Sequence, residues 1–253
     1  MRQFTKDELQ VQIYPSRAEM GKAAAEEMAV VLKKLLKSQD NVRMIFASAP
    51  SQNDFFIHLA TIEDIDFSRV TAFHLDEYIG LPADAPQGFG NFLKERLFSK
   101  LSPLGEIHFI DSQAQDPQAE CDRYAALLNA APIDIVCMGI GENAHIAFND
   151  PPVADFNDPK LVKIVELDQI CRQQQVNDGC FASLDLVPTH AVTLTVPAIM
   201  RGKAVFCMVP GPTKANAVYN TLEKEITTAY PSSILRMKQG AVLYLDTDSA
   251  VKL

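Results

Sequence analysis

Residues 133–152 read IDIVCMGIGENAHIAFNDPP. An apolar run bounded by glycines predicts a buried strand over 133–138. Just past it the chain presents Glu142, Asn143, His145, Asn149 and Asp150. In open α/β sheets, ligands bind beyond the carboxyl ends of the strands, so polar residues crowded there mark a candidate site. A histidine followed five residues later by a carboxylate supplies an acid–base pair, because imidazole titrates near neutrality. A plainer account also fits: His145 as a hydrogen-bonded core histidine, and Asp150-Pro151-Pro152 as a turn signal.

Working outward, strand-like and helix-like segments alternate. Strands are expected at 10–14, 42–47, 70–75, 107–110, 161–167, 191–196, 204–209 and 241–245. Helices are expected at 17–37, 52–62, 91–101, 114–130 and 212–222. In 17–37 the apolar positions Met20, Ala23, Ala24, Met28, Val31, Leu32 and Leu35 recur at helical spacing. This alternation predicts an α/β fold: an open, mostly parallel sheet with helices on both faces. One domain over 1–253 is expected, with 151–190, which breaks the rhythm, as a lid or interface element.

Four polar clusters fall at predicted strand ends: Ser48-Ala49-Pro50-Ser51, Asp76-Glu77-Tyr78, Asn143 to Asp150, and Gly211-Pro212-Thr213-Lys214. The last opens a helix with a lysine, a combination that suits a phosphate through the free N–H groups and the ammonium. Singly each has a bland alternative: Asp76 and Glu77 as turn or surface acids, Lys214 as a solvated helix residue. Convergence on one sheet edge is what argues for a site. His58, His74, His108 and His190 lack such neighbours and read as structural. No P-loop is present, and Gly139-Ile140-Gly141 is only a fragment of a dinucleotide fingerprint.

The net charge of −9 argues against nucleic acid or an anionic membrane surface as the main partner. A small anion remains compatible, since one local cation suffices for a phosphate. Five scattered cysteines, without CxxC or zinc spacing, suit a reducing cytosol and no metal site. The first ten residues are too polar for a signal peptide, and no apolar run approaches the ~20 residues of a membrane span.

Three stretches together resemble the glucosamine-6-phosphate deaminase (isomerase) family. Phe73 to Leu81 is similar to its DEYxGL segment, Gly139 to Pro151 to its GxGxDGHIAFNEP segment, and Gly211 to Ala215 to its phosphate-binding G-x-x-K-A turn. The related 6-phosphogluconolactonases share the GxGxDGH start but tend to have DER and lack IAFNEP. The resemblance implies a Rossmann-like sheet and conversion of glucosamine 6-phosphate and water to fructose 6-phosphate and ammonia. It implies no metal or organic cofactor, a phosphorylated amino sugar as partner, a cytoplasmic location and a homo-oligomer. By motif match, Asp76 corresponds to the carboxylate that moves a proton between carbons 2 and 1. His145 corresponds to the histidine that opens the sugar ring, Asp150 to the acid that orients it, and Asn143 to the aspartate that partners it. Lys214 corresponds to the phosphate-binding lysine. Ser48, Ser51, Glu77, Gly141 and Ala144 are expected to contact substrate, with Arg172 and Gln175.

The chain departs from the family pattern in several places. Asn143-Ala144 replaces Asp-Gly, and Asp150 is one methylene shorter than the family's glutamate. Ser48 to Gln52 replaces a glycine-rich phosphate loop, and Pro50 has no N–H to offer. Gln175 aligns with a phosphate-contacting arginine, and Arg172 lies one helical turn earlier. The Asn143 and Ser48–Ser51 departures motivate one rival reading, a sugar-phosphate sensor without catalysis; the enzymatic rival is a lactonase acting on a phosphorylated sugar lactone.

Overall fold

The computed structural model describes residues 1–101 and 103–253. Ten strands and seven α-helices are defined among them. The central sheet has seven strands. In spatial order they are β1 (Arg2–Lys6), β2 (Leu9–Tyr14), β10 (Ala241–Asp246), β9 (Ala204–Val209), β6 (Ile135–Met138), β3 (Val42–Phe46) and β4 (Val70–His74). All neighbours run parallel except the β1–β2 hairpin at the edge.

The apolar strands are explained by cover on both faces. Along β9, Val205, Cys207 and Val209 enter one core, and Phe206 and Met208 enter the other. The first core packs against α4 (Pro117–Asn129), α6 (Val196–Met200) and α7 (Ala215–Glu223). The second is covered by α1 (Arg17–Leu36), α2 (Asn53–Leu59) and α3 (Phe89–Arg96). Helix starts follow local chemistry. The Ser16 hydroxyl caps α1 at Glu19 N, and Asp116 caps α4 just before Pro117.

A second, three-stranded antiparallel sheet was not foreseen. It joins β5 (Asp76–Tyr78), β8 (His190–Leu194) and β7 (Val162–Glu166). The expected strands at 161–167 and 191–196 therefore do not extend the parallel sheet. The expected run ending in Asp76-Glu77-Tyr78 is two strands that part at Leu75, whose carbonyl accepts from Leu194 N. Residues 107–110 make only one bridge, Ala72 with Ile107, so the expected strand there is absent. Sequence reading also passed over β1, α6, α5 (Gln169–Asn177) and the 3-10 turns at Pro231–Met237. These pieces are short or polar, and their burial is set by tertiary neighbours.

Candidate active site

One pocket opens at the carboxyl edge of the parallel strands. It sits where β3 leads to a helix on one face of the sheet and β6 leads into the small sheet on the other. This is the topological switch point, where open α/β sheets keep their ligands. All four polar clusters reach it: Ser48 to Ser51 after β3, Asp76 after β4, Gly139 to His145 after β6, and Gly211 to Lys214 after β9.

The β6 loop builds one wall. His145 Nδ1 stands 2.8 Å from Asp150 Oδ1. The same oxygen accepts from Asn143 Nδ2 at 2.9 Å, and Asn143 Oδ1 accepts from His145 N at 3.2 Å. Asn143 thus ties the loop to the carboxylate rather than facing the pocket. Burial pushes the Asp150 carboxyl up, but the His145 charge prevails, helped by hydrogen bonding from His145, Asn143 and Cys171, and holds it below the usual range. An ionised Asp150 beside Nδ1 favours the tautomer with the proton there and leaves Nε2 as an acceptor.

Tight geometry fixes this loop. A Cβ on Gly141 would overlap the His145 ring. Ala144 adopts φ +67° and Ala147 φ +49°, a region that disfavours any residue with a Cβ. Ala144 is fully buried, and its carbonyl accepts from Ser232 N at 2.9 Å. Its methyl packs in the core and does not line the pocket.

Asp76 begins β5, pairs with Thr193 and points into the pocket. Burial, then the Glu77 and Asp150 charges, hold its carboxyl well above the ordinary value. Glu77 faces the other way, as alternation on a strand requires. Its oxygens accept from Tyr78 N at 3.0 Å, Phe89 N at 3.0 Å and Gly90 N at 2.9 Å, so it caps the start of α3. Burial still lifts its pKa despite those bonds.

The opposite wall carries the cations. Gly211 takes φ +94°, which suits a residue without Cβ, and its N–H donates to both Asp246 oxygens at 3.0 Å. That turn delivers Lys214, buried and lining the pocket. Burial lowers the Lys214 pKa, and Asp178 and Glu142 only partly offset this. Ser48 Oγ is buried without a hydrogen-bond partner, leaving a polar atom on the pocket wall for a ligand. Ser51 Oγ accepts from Gln52 Nε2 at 3.1 Å.

Helix α5 forms the remaining wall. Gln175 lines the pocket as the alignment led one to expect. Arg172 does not; its Nη2 donates to Leu184 and Val187 carbonyls at 2.8 Å and pins the following loop. Three polar lining residues escaped the sequence reading: Arg17, Gln174 and Asp178. Gln174 Oε1 accepts from Glu142 N at 2.8 Å, linking α5 to the histidine loop. Arg17 sits in the first turn of α1, with Nε 2.7 Å from Asp54 Oδ2 and Nη2 3.2 Å from the Pro50 carbonyl. Its only sequence signal was a cation at the start of a helix that follows a strand.

Fold and site define an α/β protein whose ligand crevice sets acid–base groups on one side and a buried ammonium on the other. The chain belongs to the glucosamine-6-phosphate isomerases/6-phosphogluconolactonase family, whose model matches residues 15–244. It is 39% identical over 186 residues to a glucosamine-6-phosphate deaminase of Exiguobacterium sp., spanning 74% of this chain and 71% of that one. It is 31% identical over 225 residues to the Bacillus cytotoxicus protein of the same name, spanning 89% and 83%. Among solved structures, a monomeric glucosamine-6-phosphate deaminase superposes with a TM-score of 0.86 at 27% identity, covering 95% of this chain and 98% of that one. The 6-phosphogluconolactonase of Thermotoga maritima superposes at 0.76 and 21% identity, covering 94% and 99%, a likeness of fold.

Proposed function

We propose that this chain is a glucosamine-6-phosphate deaminase, converting glucosamine 6-phosphate and water to fructose 6-phosphate and ammonia. The observation that carries the reading is that Asp76 and His145, 69 residues apart in sequence, line one pocket together with the buried Lys214. The deaminase relatives, at up to 39% identity, support the same reading.

The chemistry assigns the roles. A closed pyranose has no carbonyl, so the ring must open first. His145 takes the anomeric hydroxyl proton on Nε2 and returns one to the ring oxygen, while Asp150 holds the ring and favours the imidazolium as it forms. Asp76 then removes the carbon-2 proton and redelivers it at carbon 1 through an enol intermediate, leaving an imine at carbon 2 that water hydrolyses to the ketone as the nitrogen departs as ammonia. A carboxylate with a raised pKa is the stronger base once ionised. Lys214, the Ser48 hydroxyl and Arg17 receive the phosphate. Gln174 and Gln175, from the 151–190 segment, close over the sugar. No helix among the described residues is long and apolar enough to cross a membrane. The family resemblance supports a cytoplasmic location, and the likeness to a monomeric glucosamine-6-phosphate deaminase supports a single chain over the homo-oligomer expected from the sequence.

Glucosamine 6-phosphate and galactosamine 6-phosphate are supplied separately, with ammonia and ketose phosphate measured from pH 6 to 9. Equal release of both products from the gluco substrate is expected. Hydrolysis of a 6-phosphogluconolactone without ammonia release from either sugar overturns the reading in favour of a lactonase. Binding without turnover overturns it in favour of a sensor.

A further inference from the structure

Behind the catalytic wall, Cys171 on α5 joins His145 and Asp150. One ligating atom from each of the three lies within 4.8 Å of the others, the one such cluster of His, Cys, Asp and Glu among the described residues. Cys171 and Asp150 are each 1% exposed and His145 is 7% exposed. Asp150 Oδ2 is buried without a hydrogen-bond partner, an uncommon state for a carboxylate oxygen and one that a cation relieves. We propose that His145, Asp150 and Cys171 form an inhibitory site for a thiophilic divalent cation, with Zn²⁺ the best-matched ion.

The donor set argues for the ion. Thiolate, imidazole and carboxylate together suit zinc, and three protein ligands leave a fourth position for water. With Zn–N and Zn–O near 2.1 Å and Zn–S near 2.3 Å, tetrahedral ligands stand about 3.3–3.6 Å apart. The 2.8 Å separation of His145 Nδ1 and Asp150 Oδ1 needs only a few tenths of an ångström of opening. Binding exchanges the Cys171 S–H bond for an S–Zn bond, that proton leaving to solvent, and moves the His145 proton from Nδ1 to Nε2 so that Nδ1 can ligate, a net release of one proton. Of the three ligands only His145 lines the pocket, so the ion enters through it. Once bound, the ion takes Nδ1 and the Asp150 oxygen. The imidazole can no longer carry its proton in ring opening. That inhibitory consequence rests on the deaminase reading; the binding itself does not.

Cys171→Ser separates the outcomes, because a hydroxyl keeps a hydrogen-bond donor beside Asp150 but is a poor ligand for a soft ion. Metal-free protein is titrated with Co²⁺ and followed by near-ultraviolet absorption, then assayed for ammonia release with Zn²⁺ and with EDTA. Expected are a thiolate-to-cobalt band in the parent protein that the variant lacks and release of one proton per ion. Zn²⁺ inhibition of at least tenfold, reversed by EDTA, is expected, with the variant needing at least tenfold more Zn²⁺. Absence of the band, or an identical band in Cys171→Ser, overturns the site. Inhibition of equal strength in both proteins overturns the inhibitory role. A cobalt band in a protein that releases no ammonia keeps the site and removes the deaminase reading instead.

Discussion

The His145 ring occupies the space that a Cβ on Gly141 would need. Glycine at 141 is therefore a condition for the histidine's position, and not only a loop convenience. Gly141→Ala is expected to push the ring off its contact with Asp150. Turnover should fall by about 10²-fold or more, the scale of losing a positioned acid–base group, with little loss of folding. Steady-state kinetics beside a melting curve separates the two effects.

Asp76 is expected to trade stability for catalysis. Its folded pKa is raised by burial and by Glu77 and Asp150, so holding it ionised opposes folding above that pKa. The penalty disappears as pH falls below the unfolded value. Asp76→Asn should abolish ammonia release and raise the melting temperature at neutral pH, with the gain fading toward pH 4. A variant less stable than the parent at pH 7 contradicts this assignment.

Asp150 carries the opposite sign. Its folded pKa is lowered, so its contribution to stability is present above the ordinary carboxylate range and is lost as pH falls through the folded value. Asp150→Asn should cost stability at pH 7 and slow ring opening by about 10²-fold. Offering substrate in an open-chain form should restore part of the rate, which a stopped-flow comparison can detect.

Two cations are available to an anion in this pocket, one buried and one on the rim. Lys214→Ala is expected to lower kcat/KM by about 10–100-fold, the scale of one charge-assisted hydrogen bond. Arg17→Ala should raise KM with kcat nearly unchanged, by about tenfold or less, because its guanidinium is half exposed and already engaged by Asp54. Inorganic phosphate should protect the parent against heat more than it protects either variant.

Ala144 stores local strain. A left-handed conformation costs a non-glycine residue about 1–2 kcal/mol. Burying the methyl offsets about 0.8 kcal/mol, and glycine's extra chain entropy costs about 0.5–1 kcal/mol. Ala144→Gly should therefore stay within about 1 kcal/mol of the parent in denaturant unfolding. Ala144→Val should lose about 3 kcal/mol, since branching and overpacking add to the strain.

The parallel sheet was legible because β3, β6 and β9 are apolar on both faces, and few other environments demand that of a short segment. The site's four corners were legible because each follows such a strand. The small sheet was not: β7 is half exposed, β8 is buried over Ala191–Leu194 like a strand of the parallel sheet, and nothing local reports which sheet they join. Glu77 and Arg172 carry charges that suit a ligand, but their partners, the α3 amides and the 184–187 carbonyls, are made by tertiary approach. Arg17, beyond its place at a helix start, and Asp178 lacked a signal for the same reason, being brought to the pocket by packing of whole helices.

The three residues Asp76, Glu77 and Tyr78 serve three clients: the pocket, the start of α3 and the aromatic cluster with Phe89, Phe148 and Phe181. Because side chains on a strand alternate, a one-residue slip of β5 against β8 would exchange the base and the cap and misplace the ring. Insertions and deletions are therefore barred from Leu75–Tyr78. Gene libraries of this scaffold should keep the triplet as one indivisible cassette.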